Sequence, residues 1–300
     1  MTERVLMVVK TYPSPSRKYG EITCTAGIRL RDGQWVRIYP YPFRLLEGDY
    51  RFQKYDILEM PLERAQNDPR PESFRLVDHR SIRKVDHIGT DEGTWHRRME
   101  FIRPTLFPSL AAFEEQMIRR ERKPIQEQSL FAGEQREVVW RRVWGRTIGV
   151  VAAVPGSAEL VAQYRGEDWS EKEKAKLAVP QILAEGLFED IEPAFSLPKT
   201  PLRFCPYQFR LSFLDATGKR YEKVVLDWEI YRLYFKEEQR LGSRERAVNS
   251  VRQKVEREIF SLEREPYLVV GSIHYRYARP TLYAVIGFIW PKKQACTPLF

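Results

Sequence analysis

Short stretches in which apolar and polar residues alternate dominate the first sixty positions. Val5 to Thr11 is an apolar run with β-branched content, Glu21 to Leu30 alternates around Gly27, and Gln34 to Tyr39 alternates after Arg31-Asp32-Gly33. A period of two with β-branched and aromatic residues predicts strands, and Asp-Gly between two such runs predicts a hairpin. Tyr55 to Leu62 adds another strand. Prolines at 13, 15, 40 and 42 break the runs into short pieces, which favours a small twisted β-barrel of PUA-like or OB-like kind over a parallel sheet.

The pattern then changes. Asp68-Pro69-Arg70-Pro71-Glu72-Ser73 reads as a loop by composition, and Trp95 to Phe101 as a short helical turn. Ser109 is a helix cap by type, with Leu110, Phe113, Met117 and Ile118 on one face, followed by the basic group 119–123 and a stop at Pro124. That cationic tail suits the negative end of the helix dipole. Val138 to Trp144 and Thr147 to Val154 are strand-like, and Pro155-Gly156-Ser157 turns the chain. Asp168 to Leu187 is predicted helical, with Ser170 and Glu173 forming a capping box. Prolines at 193, 198 and 201 mark a boundary.

The last hundred residues restart with strands at Tyr207 to Leu214 and Tyr221 to Leu226, joined by the turn Asp215 to Gly218. One helix opens at Asp227-Trp228-Glu229, with Ile230, Leu233 and Tyr234 on a shared face. A second runs from Ser243 to Leu262, with Val248, Val251, Val255, Ile259 and Leu262 at helical spacing. Tyr267 to Tyr275 and Leu282 to Trp290 return to strand. The expected fold class is therefore α+β: a small N-terminal β-barrel-like domain followed by a C-terminal antiparallel sheet with two helices. The expected division is 1–146 for a β-rich domain, 147–198 for a helical acidic connector and 199–300 for an α+β domain.

Composition adjusts this picture in three ways. No apolar run approaches the ~20 residues of a membrane helix, and no small-residue cleavage site follows the first apolar run, so the expectation is a cytoplasmic protein with no membrane contact. Cys24, Cys205 and Cys296 are isolated from one another, and His79, His87 and His96 match no ligand spacing; neither a metal site nor a cofactor is expected. The net charge is +9. Over 199–300 basic residues outnumber acidic ones 19 to 11, whereas over 147–198 acidic residues lead 9 to 4. A basic surplus at the ends favours a polyanionic partner.

Arginine and aromatic residues interleave in two places, Trp35 to Arg44 and His274 to Pro280. On a strand, Trp35, Arg37 and Tyr39 share one side, with Val36 and Ile38 on the other. Guanidinium groups neutralise phosphate while rings stack on bases, so Trp35, Arg37, Tyr39 and Arg44, aided by Arg17 and Lys18, form the candidate nucleic-acid platform. Arg276 and Arg279 form a candidate basic rim. Packing of Trp35 and Tyr39 on a neighbouring loop is the competing explanation. Neither a Gly-rich phosphate loop nor a nucleophile elbow occurs. Asp227 and Glu229 have the residue types of a Mg²⁺-dependent nuclease, though a helix cap explains them as well. Cys24 within a strand reads as a small buried hydrophobe rather than a nucleophile.

Several motifs carry a resemblance: Val9-Lys10-Thr11-Tyr12-Pro13, Lys18-Tyr19-Gly20-Glu21 with Cys24 to Gly27, Trp35 to Arg44, Arg70 to Ser73, and Asp227-Trp228-Glu229 with Leu233-Tyr234. Together they resemble a family of uncharacterised bacterial proteins, at both ends of the chain and not in its middle. The resemblance implies a bacterial cytoplasmic origin and no particular activity. Such relatives tend to carry Cys and His before the Asp-Trp-Glu motif. This chain has Cys205 there and no histidine, so a metal site is not implied. Nucleic-acid binding is the leading expectation for function. The alternatives are a metal-dependent nuclease built on Asp227 and Glu229, and a protein-binding scaffold in a bacterial defence complex.

Overall fold

A computed structural model describes residues 2–41, 43–44, 46, 51–122, 140–178, 200–273 and 283–293. Strands β1 (Thr2–Lys10), β2 (Ser14–Ser16), β3 (Gly20–Arg29), β4 (Trp35–Tyr41), β5 (Asp56–Arg64), β6 (Ser73–Leu76) and β7 (Arg83–His87) form the first sheet. Its order is β1-β3-β4-β6-β5, and pairing of β1 with β5 closes the ring into a five-stranded barrel, with β2 added to β3 and β7 to β5. The predicted hairpin joins β3 to β4, and Gly33 takes the positive φ of 66° that its turn needs. At Gly27 a side chain is impossible without displacement: a Cβ there would lie 2.3 Å from the Leu6 carbonyl oxygen. Val5, Met7, Val36, Ile38, Tyr41, Leu58 and Met60 fill the interior.

After helix α1 (His96–Ile102) come β8 (Leu106–Phe107), α2 (Leu110–Met117), β9 (Ile118–Arg122), β10 (Trp140–Trp144), β11 (Ile148–Ala152), β12 (Glu159–Tyr164) and α3 (Glu171–Ala178). The chain continues with β13 (Tyr207–Leu214), β14 (Arg220–Val224), α4 (Trp228–Leu241), α5 (Arg244–Gln253), β15 (Tyr267–Ser272) and β16 (Tyr283–Ile289). A second sheet has the order β16-β15-β11-β8, and a third the order β12-β13-β14. The α+β class, the N-terminal barrel and the C-terminal sheet with its helices are those expected from the pattern.

The second sheet is buried on both faces. Val151, Leu268, Val270, Tyr283 and Val285 pack with α2, α4, α5 and the third sheet. Ile148, Val150, Val269, Ala284 and Ile286 pack against Leu6, Val8, Ala26, Ile28 and Trp35 on the outside of the barrel. Burial on both sides explains why 283–289 is continuously apolar instead of alternating. Both C-terminal helices begin at the predicted caps: Glu229 N donates to Asp227 Oδ1 at 2.8 Å, and Arg246 N to Ser243 Oγ at 3.3 Å. Half of the box at α3 is present too: the Ser170 N–H donates to Glu173 Oε2 at 3.1 Å, while Ser170 Oγ donates to the same carboxylate instead of accepting from the Glu173 N–H.

Three element expectations need correction. The helix capped by Ser109 ends at Met117, because 118–122 leaves it to pair antiparallel with 140–144; backbone pairing across the chain overrides local helix preference. The helix after Ser243 stays α-helical only to Gln253 and widens into a π-turn over Lys254–Ile259. Leu262 thereby falls beyond the helix and is 72% exposed instead of joining the apolar face. The loop at 68–73 gives way to β6 at Ser73, which pairs with both β4 and β5.

Candidate functional site

Strand β4 alternates as predicted, but its outer side is closed. Trp35 keeps only 6% of its surface and packs among Ile148, Val150 and Val269 of the second sheet. Arg37 keeps 3%. These two positions therefore do not form an open platform, because the second sheet and the residues beside it cover both. Tyr39, one pleat further on, is 45% exposed. Arg44 reaches Glu21 at 3.0 Å and the Thr200 carbonyl, while Arg17 and Lys18 are exposed on the turn between β2 and β3. Arg276 and Arg279 lie outside the described residues.

Where the two sheets diverge, a cleft of about 670 Å³ opens. The barrel side contributes Thr11, Tyr12, Cys24, Arg37, Tyr39 and Phe74, and the 65–68 turn adds Gln66, Asn67 and Asp68. Leu226, Gly271, Ser272, Ile273 and Ile286 form the opposite wall. Arg70 and Arg75 complete it, and each of the three arginines lies near a carboxylate: Glu72 for Arg37, Asp68 for Arg70 and Glu63 for Arg75. Segments that are remote in sequence, including most of the motifs that carry the family resemblance, thus converge on one recess.

A buried polar network anchors the cleft. Arg37 Nη2 donates to Thr147 Oγ1 at 3.3 Å, and its Nη1 to Cys24 Sγ at 3.4 Å. The Thr147 backbone N–H donates to Glu72 Oε1 at 3.0 Å, and the Thr147 hydroxyl donates to the same oxygen. Glu72 Oε1 also lies 4.0 Å from the Arg37 guanidinium. Beside this chain, Arg70 donates to Ser272 Oγ at 2.9 Å and to the Asp68 carboxylate. Ser272 in turn donates its backbone N–H to the Thr147 carbonyl at 2.9 Å. Two barrel arginines therefore grip an adjacent Thr–Ser pair of the second sheet, which fixes the cleft's two walls relative to each other. Arg37 Nε has no acceptor among the described residues.

A second buried charged group lies at the end of β1 and the start of α4. Lys10 is 5% exposed and points at rings, 4.1 Å from the centroid of Phe43 and 5.3 Å from that of Trp228. Burial lowers its ammonium to about 8, helped by Lys54 and Arg232 and opposed by Glu229 and Asp227. Asp227 caps α4 and also accepts from Lys54 Nζ. Burial raises its carboxyl against the pull of Lys54. Asp227 thus serves as a helix cap and an ion-pair partner, and among the described residues no group of three or more His, Cys, Asp or Glu could hold a metal ion. His87 Nδ1 lies 2.7 Å from Asp56, and His96 pairs with Glu100 at 3.5 Å. Cys205 is buried, and burial pushes its thiol up to about 12, whereas Cys24 lines the cleft.

Arg70, Asp68, Asn67 and Ser272 were not among the residues singled out for binding. The signal available was the dense run Asp-Pro-Arg-Pro-Glu-Ser, whose alternation of proline and charge is unusual for a plain solvent loop.

Residues 141–300 match a family described as Domain of unknown function (DUF8757). The chain belongs to that family. Residues 1–104 match a second, described as Domain of unknown function (DUF8758), which spans the barrel and α1. No curated protein matches the chain. The cleft takes residues from both matched regions, Arg37 and Arg70 from the first and Ser272 and Ile273 from the second. No helix among the described residues is long and apolar enough to cross a membrane.

Proposed function

We propose that this chain binds nucleic acid, and that the contact is the cleft between the barrel and the second sheet instead of a flat aromatic face. The observation that carries the reading is the meeting of Arg37, Arg70 and Arg75 with the rings of Tyr39 and Phe74 around one recess. Guanidinium groups suit phosphate and base acceptors, and aromatic rings offer a stacking face. Arg17 and Lys18 follow the Ser14–Ser16 strand, whose first residue lines the cleft, and supply exposed positive charge nearby. A reducing, cytoplasmic setting suits Cys24 and Cys205, which are both free thiols.

Fluorescence anisotropy with single-stranded and duplex oligonucleotides at low ionic strength tests the proposal. The expected result is saturable binding that weakens as salt is added. Replacing both Arg17 and Lys18 by Ser should reduce the salt dependence by about one to two phosphate contacts. Absence of binding to every oligonucleotide at low salt would end this reading.

A further inference from the structure

We infer that the cleft takes a single unstacked nucleotide, drawn out of its strand, with the base between its walls and the phosphate at its mouth. This rests on the nucleic-acid reading and makes it specific. Proteins that read paired DNA insert a helix or ribbon into a groove, so their binding surface projects. Here the surface is a recess, and the part of a nucleic acid that can enter a recess is an unpaired base. The volume of about 670 Å³ falls within the ~300–1,000 Å³ of sites that enclose one small molecule.

The walls have the chemistry this ligand needs. Tyr39, Pro40 and Phe74, whose ring also meets the Arg29 and Arg64 guanidinium groups, contribute apolar surface on the barrel side, and Ile286 of the second sheet, Ile273 just past β15 and Leu226 just past β14 complete the lining. Between them Arg37 is held by Thr147 and Cys24, and its buried Nε, which has no acceptor among the described residues, is a donor suited to a ring nitrogen or carbonyl of a base that enters deeply enough to reach it. Gln66 and Asn67 at the rim each carry both a donor and an acceptor, the combination found on a base edge. Arg75, whose side chain is 57% exposed, lines the same recess and pairs with the half-exposed Glu63, a carboxylate that a phosphate would have to displace. The clamp of Arg37 and Arg70 on Thr147 and Ser272 keeps the walls in place before any ligand arrives, which lowers the ordering cost of binding.

Three duplexes distinguish the outcomes: one fully paired, one with a single-nucleotide bulge, and one with that bulge made abasic. The expected result is binding of the bulged duplex about ten-fold tighter than the paired one, with the advantage lost in the abasic duplex. Ala65→Trp, which fills the cleft from the barrel side, should erase the bulge preference while leaving weak duplex binding. Ser14→Trp, from an exposed position on the rim, repeats the test should Ala65→Trp fold poorly by circular dichroism. Equal binding of all three duplexes overturns the single-nucleotide inference and leaves nucleic-acid binding standing. Failure of every duplex and single strand to bind at low salt removes both. Nucleoside monophosphates should compete with the bulged duplex; if they bind while no oligonucleotide does, the ligand is a free nucleotide and extrusion from a strand is overturned.

Discussion

The two sides of strand β4 carry opposite chemistry and reach nearly the same burial. Val36 and Ile38 enter the barrel core, where neighbours within the first sheet surround them. Trp35 and Arg37 face outward, yet the second sheet covers them almost as completely. On the inner side burial is achieved by apolar packing alone. On the outer side it requires that a guanidinium removed from water be matched by Thr147, Cys24 and the nearby Glu72. The lesson is that an alternating strand shows which residues share a side but not whether that side is wet.

The largest expected effect breaks the outer side. Arg37→Ala leaves Glu72 buried without its counter-charge and should cost about 3–5 kcal/mol in urea unfolding. Combining Arg37→Met with Glu72→Gln removes both charges while keeping an acceptor for Thr147, and should recover most of the loss. A double variant no more stable than Arg37→Ala would show that the cost comes from packing and not from a stranded charge. On the inner side, Ile38→Ala should cost about 2–5 kcal/mol through the cavity it leaves, and no change at Glu72 should rescue it.

Lys10 sharpens the contrast through pH. Its ammonium is lowered from 10.5 to about 8 by burial, so the unfolded chain binds more protons than the folded one between those values. Stability should therefore rise with pH across that window, by up to roughly 3 kcal/mol. Below about pH 8 the penalty of keeping a buried charge is present in full. Lys10→Met should lack the rise, and the difference between the two proteins between pH 8 and 10 isolates it from tyrosine ionisation. The smallest expected effect is at Tyr39: Tyr39→Ala should change stability by no more than about 0.5 kcal/mol, as at other exposed positions. Its oligonucleotide affinity should nevertheless fall, which separates the open end of β4 from the sealed one.

Much of the fold was legible locally. The hairpin at Asp32-Gly33, the caps at Asp227 and Ser243, and the box at Ser170 and Glu173 each depend on residues within a few positions of one another, so their signals survive in sequence. The site was legible only in part. Of the residues whose interleaving suggests a platform, Arg37 and Tyr39 line the cleft, but Trp35 and Arg37 are both buried instead of open. Arg70 and Ser272 lie 202 positions apart, and nothing local to either tells that they meet.

By itself the sequence determined the strand periodicity, the helix starts and the basic surplus, because each follows from neighbours along the chain. Tertiary structure alone decided that β1 would close the barrel onto β5, that the second sheet would be buried on both faces, and that Trp35 would be core while Tyr39 stayed at the edge of a cleft. The physical reason is that burial belongs to a surface and its cover together. A strand specifies its own two sides, but what lies against each is supplied from elsewhere in the chain, and on the outer side of β4 by residues more than a hundred positions away.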